Sequence, residues 1–259
     1  FYDLSTNTFV LNTNRDLVFN ELLDEDGYFQ DALSPFIFTV NNKAAFLGYF
    51  MATNTAIGID WPYVIADYDF FNDSIINIST GYNVHHVRYI DRLRSDPEMK
   101  RLFLSDKLVK PGITVIIDSI FIALGPDTST INYFFNITNN EKTDLYVPDP
   151  LLMGNDVFNK YTLGVVLDAP GKTYYARYLQ YDSRNLQYYE YSWYRKMKPG
   201  EKIYRSATVK GYKPIDPGIY TCFFCFAGPV SIDNKIQPDG SRYWFGWTDS
   251  NVIEVEVSE

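Results

Sequence analysis

Carboxylates are the side chains here with the plainest capacity for chemistry. Asp60, Asp67, Asp69 and Asp73 fall in one stretch, and on an extended strand Asp67 and Asp69 would share a face, because strand side chains repeat every second residue. Paired carboxylates at the right separation run glycoside hydrolysis, and the same oxygens suit Ca²⁺. Acidic residues are abundant along the whole chain, however, with 32 Asp plus Glu. The cluster therefore reads first as solvated surface charge, as do Asp24, Asp26 and the turn Asp249-Ser250-Asn251. His85 and His86 are the only histidines. Adjacent side chains on a strand diverge, so this pair makes a poor chelate and offers at most one imidazole, with no GxSxG or HExxH context around it. Cys222 and Cys225 sit in an apolar run where a strand points them to opposite faces. They are poorly placed to bond each other, and nothing nearby activates a thiolate. No phosphate-cradling glycine loop or dinucleotide fingerprint occurs. No catalytic residue, metal ligand or cofactor is assigned.

Aromatic residues offer the other candidate chemistry, that of binding. The chain has 22 Tyr, 19 Phe and 4 Trp, 17% aromatic, well above ordinary usage. On a strand, Tyr189, Tyr191 and Trp193 share one face and Tyr188 and Tyr194 the other. A second cluster, Tyr243-Trp244-Phe245-Gly246-Trp247, follows the turn Pro238-Asp239-Gly240. Aromatic rings anchor protein interfaces, and their flat faces also suit sugar rings. Tyr189, Tyr191, Trp193, Tyr243, Trp244 and Trp247 are therefore the candidate binding residues. The competing reading is structural: one aromatic row is core and the tryptophans cap a sandwich.

The elements that position these residues are mostly strands. A seam at Lys110-Pro111-Gly112 divides an N-terminal α+β region, 1–110, from a β-rich region, 111–259. In the first, Asp16 to Leu23 suits a short helix, Pro35 to Val40 and Ala45 to Met51 suit strands, and Val64 to Ile78 is β-prone. Asp91 to Leu108 has the apolar spacing of one amphipathic helix, or of two broken near Asp96-Pro97. In the second region the period becomes two. Ile113 to Ala123 and Ile131 to Thr138 read as strands joined by Gly125-Pro126-Asp127, with Ile131, Tyr133, Phe135 and Ile137 on one face. Tyr161 to Leu167 reads as a strand between the turns Pro148-Asp149-Pro150 and Ala169-Pro170-Gly171. Tyr174 to Tyr181 with Gln187 to Tyr194 suits a hairpin. Lys202 to Val209, Ile219 to Ala227 and Val252 to Val257 complete the set, the last with Ile253, Val255 and Val257 inward. Strands at this spacing argue for a sandwich or barrel.

The segment Asp216-Pro217-Gly218-Ile219-Tyr220-Thr221-Cys222 fits D-x-G-x-Y-x-C and resembles the E–F corner of immunoglobulin-like domains. The resemblance implies a structural corner at Asp216, Gly218 and Tyr220, in which the Tyr220 hydroxyl returns to upstream backbone. It implies an antiparallel immunoglobulin-like sandwich over 111–259, and the expected fold class is accordingly mainly β. No upstream cysteine exists to pair with Cys222, so the likeness is to the fold and carries no function.

Charge narrows the partners. Lys plus Arg is 23, the formal charge is −9 and the pI is near 4.8, so nucleic acid and anionic membranes would be repelled. No run of eighteen apolar residues is present, and no membrane insertion is expected. The first residue, Phe1, suggests a processed product whose signal peptide or anchor has been removed. Sequons stand at Asn72, Asn77 and Asn136, the last on the strand face opposite the Ile131–Ile137 row, where exposure is expected. The leading expectation is a non-enzymatic exported, cell-surface or periplasmic protein that presents aromatic β surfaces to a protein or glycan partner, with homo-oligomers possible. The alternatives are a carbohydrate-active hydrolase using the N-terminal carboxylates and a structural subunit of a larger shell or array.

Overall fold

Alternating β-branched and aromatic residues build nearly all of the regular structure. The computed structural model describes residues 2–6, 8–11, 33–40, 42–51, 63–65, 75–79, 97, 101–102, 105, 109–162, 164–176, 189–228 and 236–258. These form two units, Phe1–Pro111 and Gly112–Glu259. Both are mainly β, with several antiparallel sheets.

The first unit contains β1 (Tyr2–Asp3), β2 (Thr8–Val10), β3 (Leu33–Val40), β4 (Lys43–Met51), β5 (Tyr63–Ile65), β6 (Ile75–Ser79) and β7 (Val109–Lys110) in a seven-stranded sheet of order β3-β4-β5-β6-β2-β1-β7. Asn42, at φ 62°, turns β3 into β4, a left-handed position that asparagine tolerates. The strands expected at 35–40 and 45–51 are part of this hairpin. Its apolar face is aromatic: the Tyr2 ring lies 4.6 Å from Phe9 and 5.3 Å from Phe38. Leu4, Ile76 and Ile78 are buried beside them, with Leu102 packed on the cluster. Of the expected helix at 91–108, Pro97, Arg101 and Leu102 are described as helical, and Ser105 as a turn whose N–H donates to the Arg101 carbonyl at 3.1 Å. The helix expected at Asp16 to Leu23 lies outside the described residues.

The second unit begins with β8 (Ile113–Ala123) and β9 (Ser129–Asn139), continues through β10 (Leu145–Pro148), helices α1 (Pro150–Met153) and α2 (Asn155–Thr162), β11 (Val165–Ala169) and β12 (Lys172–Tyr174), and resumes at a 3-10 turn, Tyr191–Trp193. It ends with β13 (Tyr194–Met197), β14 (Lys202–Tyr212), β15 (Gly218–Gly228), β16 (Arg242–Tyr243), β17 (Gly246–Asp249) and β18 (Ile253–Val257). One sheet has the order β14-β9-β8, a second β12-β11-β15-β17 with β18 also on β15, and a third β13-β10-β16.

Period-two patterning explains the core. Ile131, Tyr133, Phe135 and Ile137 of β9 are fully buried, as are Phe224 and Phe226 of β15. Rings from the two strands meet, Tyr133 with Phe224 at 5.1 Å and Phe135 with Phe224 at 5.0 Å. Each fully buried Phe of this kind contributes about 1.5–3 kcal/mol over an exposed one.

Two expectations fail in this unit, and a third is only partly described. Tyr161 to Leu167 is not one strand. The helix α2 runs to Thr162 and the strand begins at Val165, because Phe158 packs its ring on Phe135, 5.8 Å away and nearly parallel at 3°. Pro148-Asp149-Pro150 is not a simple turn but a helix start. Asp149 caps α1 by accepting from the Leu151 N–H at 3.0 Å, with proline in the first turn, where its missing N–H costs nothing. The hairpin expected of 174–181 with 187–194 lies mostly outside the described residues. Tyr174 ends β12, which pairs with β11, and β13 pairs with β10.

Side chains complete the backbone pairing where strands stop. Asn251, in the bend between β17 and β18, accepts from the Ile117 N–H at 2.6 Å and donates to the Ile117 carbonyl at 3.3 Å. Asn155 likewise accepts from the Thr208 N–H at 2.8 Å and, with Asn159, donates to the Thr208 carbonyl. Arg205 donates to the Tyr204 carbonyl and forms a two-point pair with Asp149, at 2.6 and 2.5 Å. Asn251 thus takes part in the backbone pairing, although the residue itself is exposed.

Candidate functional site

The corner residues make a local network. The Tyr220 hydroxyl donates to the Asp216 carbonyl at 2.8 Å. From β12, Lys172 reaches the Asp216 carboxylate at 2.6 Å and the Tyr174 hydroxyl donates to it at 3.1 Å. The Lys172 hydrogen bond and charge hold the Asp216 carboxyl below its ordinary range and raise the lysine. Gly218 lies under the Tyr220 ring, where an added Cβ would sit 3.6 Å from the ring edge.

The six candidate binding residues separate into a core set and a surface set. Trp244 is fully buried: its ring lies 5.2 Å from Phe226 and over Gly228, where an added Cβ would come within 3.2 Å of it. Trp193, 8% exposed, packs edge-on against Tyr161 at 5.9 Å. Both tryptophans are buried. A 3-10 turn, rather than a strand, carries Tyr191 and Trp193, so the face-sharing expected of a strand does not hold there. Tyr191 is 50% exposed, while Tyr189, Tyr243 and Trp247 are partly buried.

The two aromatic segments meet through a tyrosine cluster. Tyr191 lies 5.1 Å from Tyr243 at 65°, and Tyr189 lies 5.3 Å from Tyr191 at 87°. Tyr243 also contacts Tyr194 at 5.2 Å and stacks on Tyr146 at 4.7 Å and 21°. The stacking follows from register, because β10 and β16 run parallel with Tyr146 directly opposite Tyr243. On the rim, Lys196 pairs with Asp144 at 2.9 Å and lies 5.7 Å over the Tyr146 ring. Tyr146, Tyr194 and Lys196 were absent from the sequence-based site. The sequence places Tyr194 only as a ring on the opposite strand face, and nothing in it pairs position 146 with position 243.

Burial chiefly, with the neighbouring phenols Tyr161, Tyr189, Tyr243 and Tyr191, pushes the Tyr194 hydroxyl well above its ordinary pKa. The Tyr194 phenol is therefore neutral at neutral pH. The thiols are equally inert: burial pushes Cys222 up to about 12, and burial, the Asp249 charge and its hydrogen bond raise Cys225.

Asp24, Asp26, Asp60, Asp67, Asp69, Asp73, His85, His86 and Asn72 lie outside the described residues. Among the described residues, no three His, Cys, Asp or Glu side chains gather as a metal site requires, and no helix is long and apolar enough to cross a membrane. The sequon residue Asn136 is buried at 3%, against the exposure expected of it. A register shift between Ile117 and Ser119 brings the Asp118 carboxylate over it, and the Asn136 amide donates to that carboxylate at 2.8 Å. Comparison with protein-family models, with curated proteins and with solved structures finds no match to this chain.

Proposed function

We propose that this chain is a non-enzymatic binding or assembly protein, exported or displayed at a cell surface, that engages a protein or glycan partner through the tyrosine cluster. Its C-terminal unit is taken to be an antiparallel sandwich of immunoglobulin-like type. The ring contacts between β9 and β15 and the Tyr220-to-Asp216 bond support that reading of the fold. The observation that carries the function is the Tyr191–Tyr243 contact at 5.1 Å, which joins distant segments into one aromatic surface with Tyr191 half exposed. Rigid rings of this kind supply contact area at low entropic cost. Its test is a glycan array and an affinity pull-down with the full chain and with Tyr191→Ala, each checked by thermal melting. Loss of a captured partner with an unchanged melt supports the reading, and capture that ignores Tyr191 refutes it.

A second reading, a subunit of a shell or array, is favoured by a different surface. Phe121, Phe134 and Tyr204 are 60, 44 and 67% exposed on one face of the β14-β9-β8 sheet, with Phe121 and Phe134 edge-to-face at 5.8 Å. Contiguous exposed rings mark contact surfaces. Light scattering discriminates: an oligomer dispersed by Phe121→Ser with Phe134→Ser favours assembly, and a monomer excludes it.

A further inference from the structure

The tyrosine cluster holds a polar group with nothing to bind. Tyr194 is 7% exposed and its hydroxyl has no hydrogen-bond partner. A buried donor left in this state costs about 1–3 kcal/mol, which a ligand oxygen would recover on binding. The hydroxyl sits among the phenols of Tyr161, Tyr189, Tyr243 and Tyr191, the last of which is the exposed ring.

The surroundings select the ligand by charge and by size. Lys196 is occupied by Asp144, and the Asp239 carboxylate is occupied by the N–H and hydroxyl of Ser241, at 3.0 and 2.6 Å. One ammonium beside two carboxylates leaves the rim acidic, which disfavours phosphate, sulfate and uronate groups. A protein partner needs about 800 Å² on each side with several buried anchors. Within this cluster only Tyr191 is half exposed. A single flat, neutral, hydroxyl-bearing ring fits better: its C–H face lies on a phenol face and its hydroxyls meet phenol edges.

We infer that the cluster is a subsite for one neutral pyranose residue of a glycan, with the exposed ring face of Tyr191 as platform and the Tyr194 hydroxyl donating to a sugar oxygen. This rests on the binding reading above and narrows it to one ligand class.

The test is isothermal titration of the full chain with cellohexaose, maltohexaose, mannohexaose and xylohexaose, with hexagalacturonate as the anionic control. The variants are Tyr191→Ala, Tyr194→Phe and, as a control at an exposed ring assigned to neither surface, Tyr175→Ala. At least one neutral hexasaccharide binds the parent, and hexagalacturonate binds at least about tenfold more weakly. Tyr191→Ala weakens the binding about tenfold or more, Tyr194→Phe weakens it about three- to tenfold, and Tyr175→Ala leaves it unchanged. Tyr194→Phe keeps or raises the melting temperature, since it deletes an unpartnered buried hydroxyl, so its lost affinity cannot be lost folding. Neutral glycan binding that ignores Tyr194→Phe overturns the inference while the binding reading stands. A protein ligand lost with Tyr191→Ala, in a chain that binds no hexasaccharide, has the same effect. A chain that binds no glycan and loses no partner with Tyr191→Ala overturns both.

Discussion

Arg242 and Glu141 form an ion pair sealed from water, with side chains 0 and 2% exposed. The guanidinium donates from Nε to the glutamate oxygen at 3.0 Å and again from its Nη2 nitrogen. Both charges lost their hydration on folding, so the pair is worth less than the cost of breaking it. Arg242→Met alone should destabilise by about 3–5 kcal/mol by stranding the carboxylate, while Glu141→Leu with Arg242→Met should recover most of that loss. Urea denaturation of the two single variants and the double variant measures the coupling. Additive losses would show that the charges do not interact.

Asn251 supplies Ile117 with the partner that a neighbouring strand would. Asn251→Ala should cost about 1–3 kcal/mol, because two backbone groups lose their partner at once. Hydrogen exchange gives the sharper readout: the Ile117 amide should lose protection in the variant, while Asn140→Ala, whose side chain bonds the exposed Thr114 hydroxyl, should leave it unchanged.

Tyr220→Phe removes the bond to the Asp216 carbonyl and little else. A loss of about 0.5–1.5 kcal/mol is expected, or roughly 2–4 °C in melting temperature per kcal/mol for a unit of this size. An unchanged melt would show that the hydroxyl does not pin the corner.

Alkaline pH should weaken the fold in a defined window. Burial raises Cys222 from its ordinary 9.0 to about 12, and Cys225 and Tyr194 shift the same way. Between about pH 9 and 12 the unfolded chain releases protons that the folded chain keeps. Stability is therefore fully present below pH 9 and falls as pH rises through the window. Melts at pH 8 and pH 10.5 should show a smaller drop for Cys222→Ala with Cys225→Ala than for the parent chain. Equal drops would assign the alkaline loss to other groups.

The buried sequon gives a yes-or-no result. Asn136 is buried and its amide is engaged by the carboxylate of the exposed Asp118, so material secreted from a glycosylating host should carry no glycan at that position. Peptide mass spectrometry reads it directly.

The parts of this structure that were readable in sequence are those where one local period dominates. β8 and β9 stand where alternating apolar residues placed them, and Glu254 and Glu256 of β18 point outward between Ile253, Val255 and Val257. The helix α2 escaped notice because Tyr161, Leu163, Val165 and Leu167 mimic a strand across its end, while the helical signal, Phe158 to Tyr161, spans barely one turn. The tyrosine cluster escaped for a different reason. Tyr146 meets Tyr243 through a parallel strand pairing of high sequence separation, and neither partner carries a local mark of it. Within the second aromatic run, period two does sort Tyr243 outward from Trp244, but which of the two faces the core depends on Gly228 opening the space.

The amides on Ile117 and Thr208 and the guanidinium on Tyr204 occupy groups through which this sheet might otherwise recruit a foreign strand. Sideways zippering is thereby blocked at those points on both flanks. A neighbour approaching the β14-β9-β8 sheet finds main chain already taken at those points, so contact there falls to the exposed rings of its face.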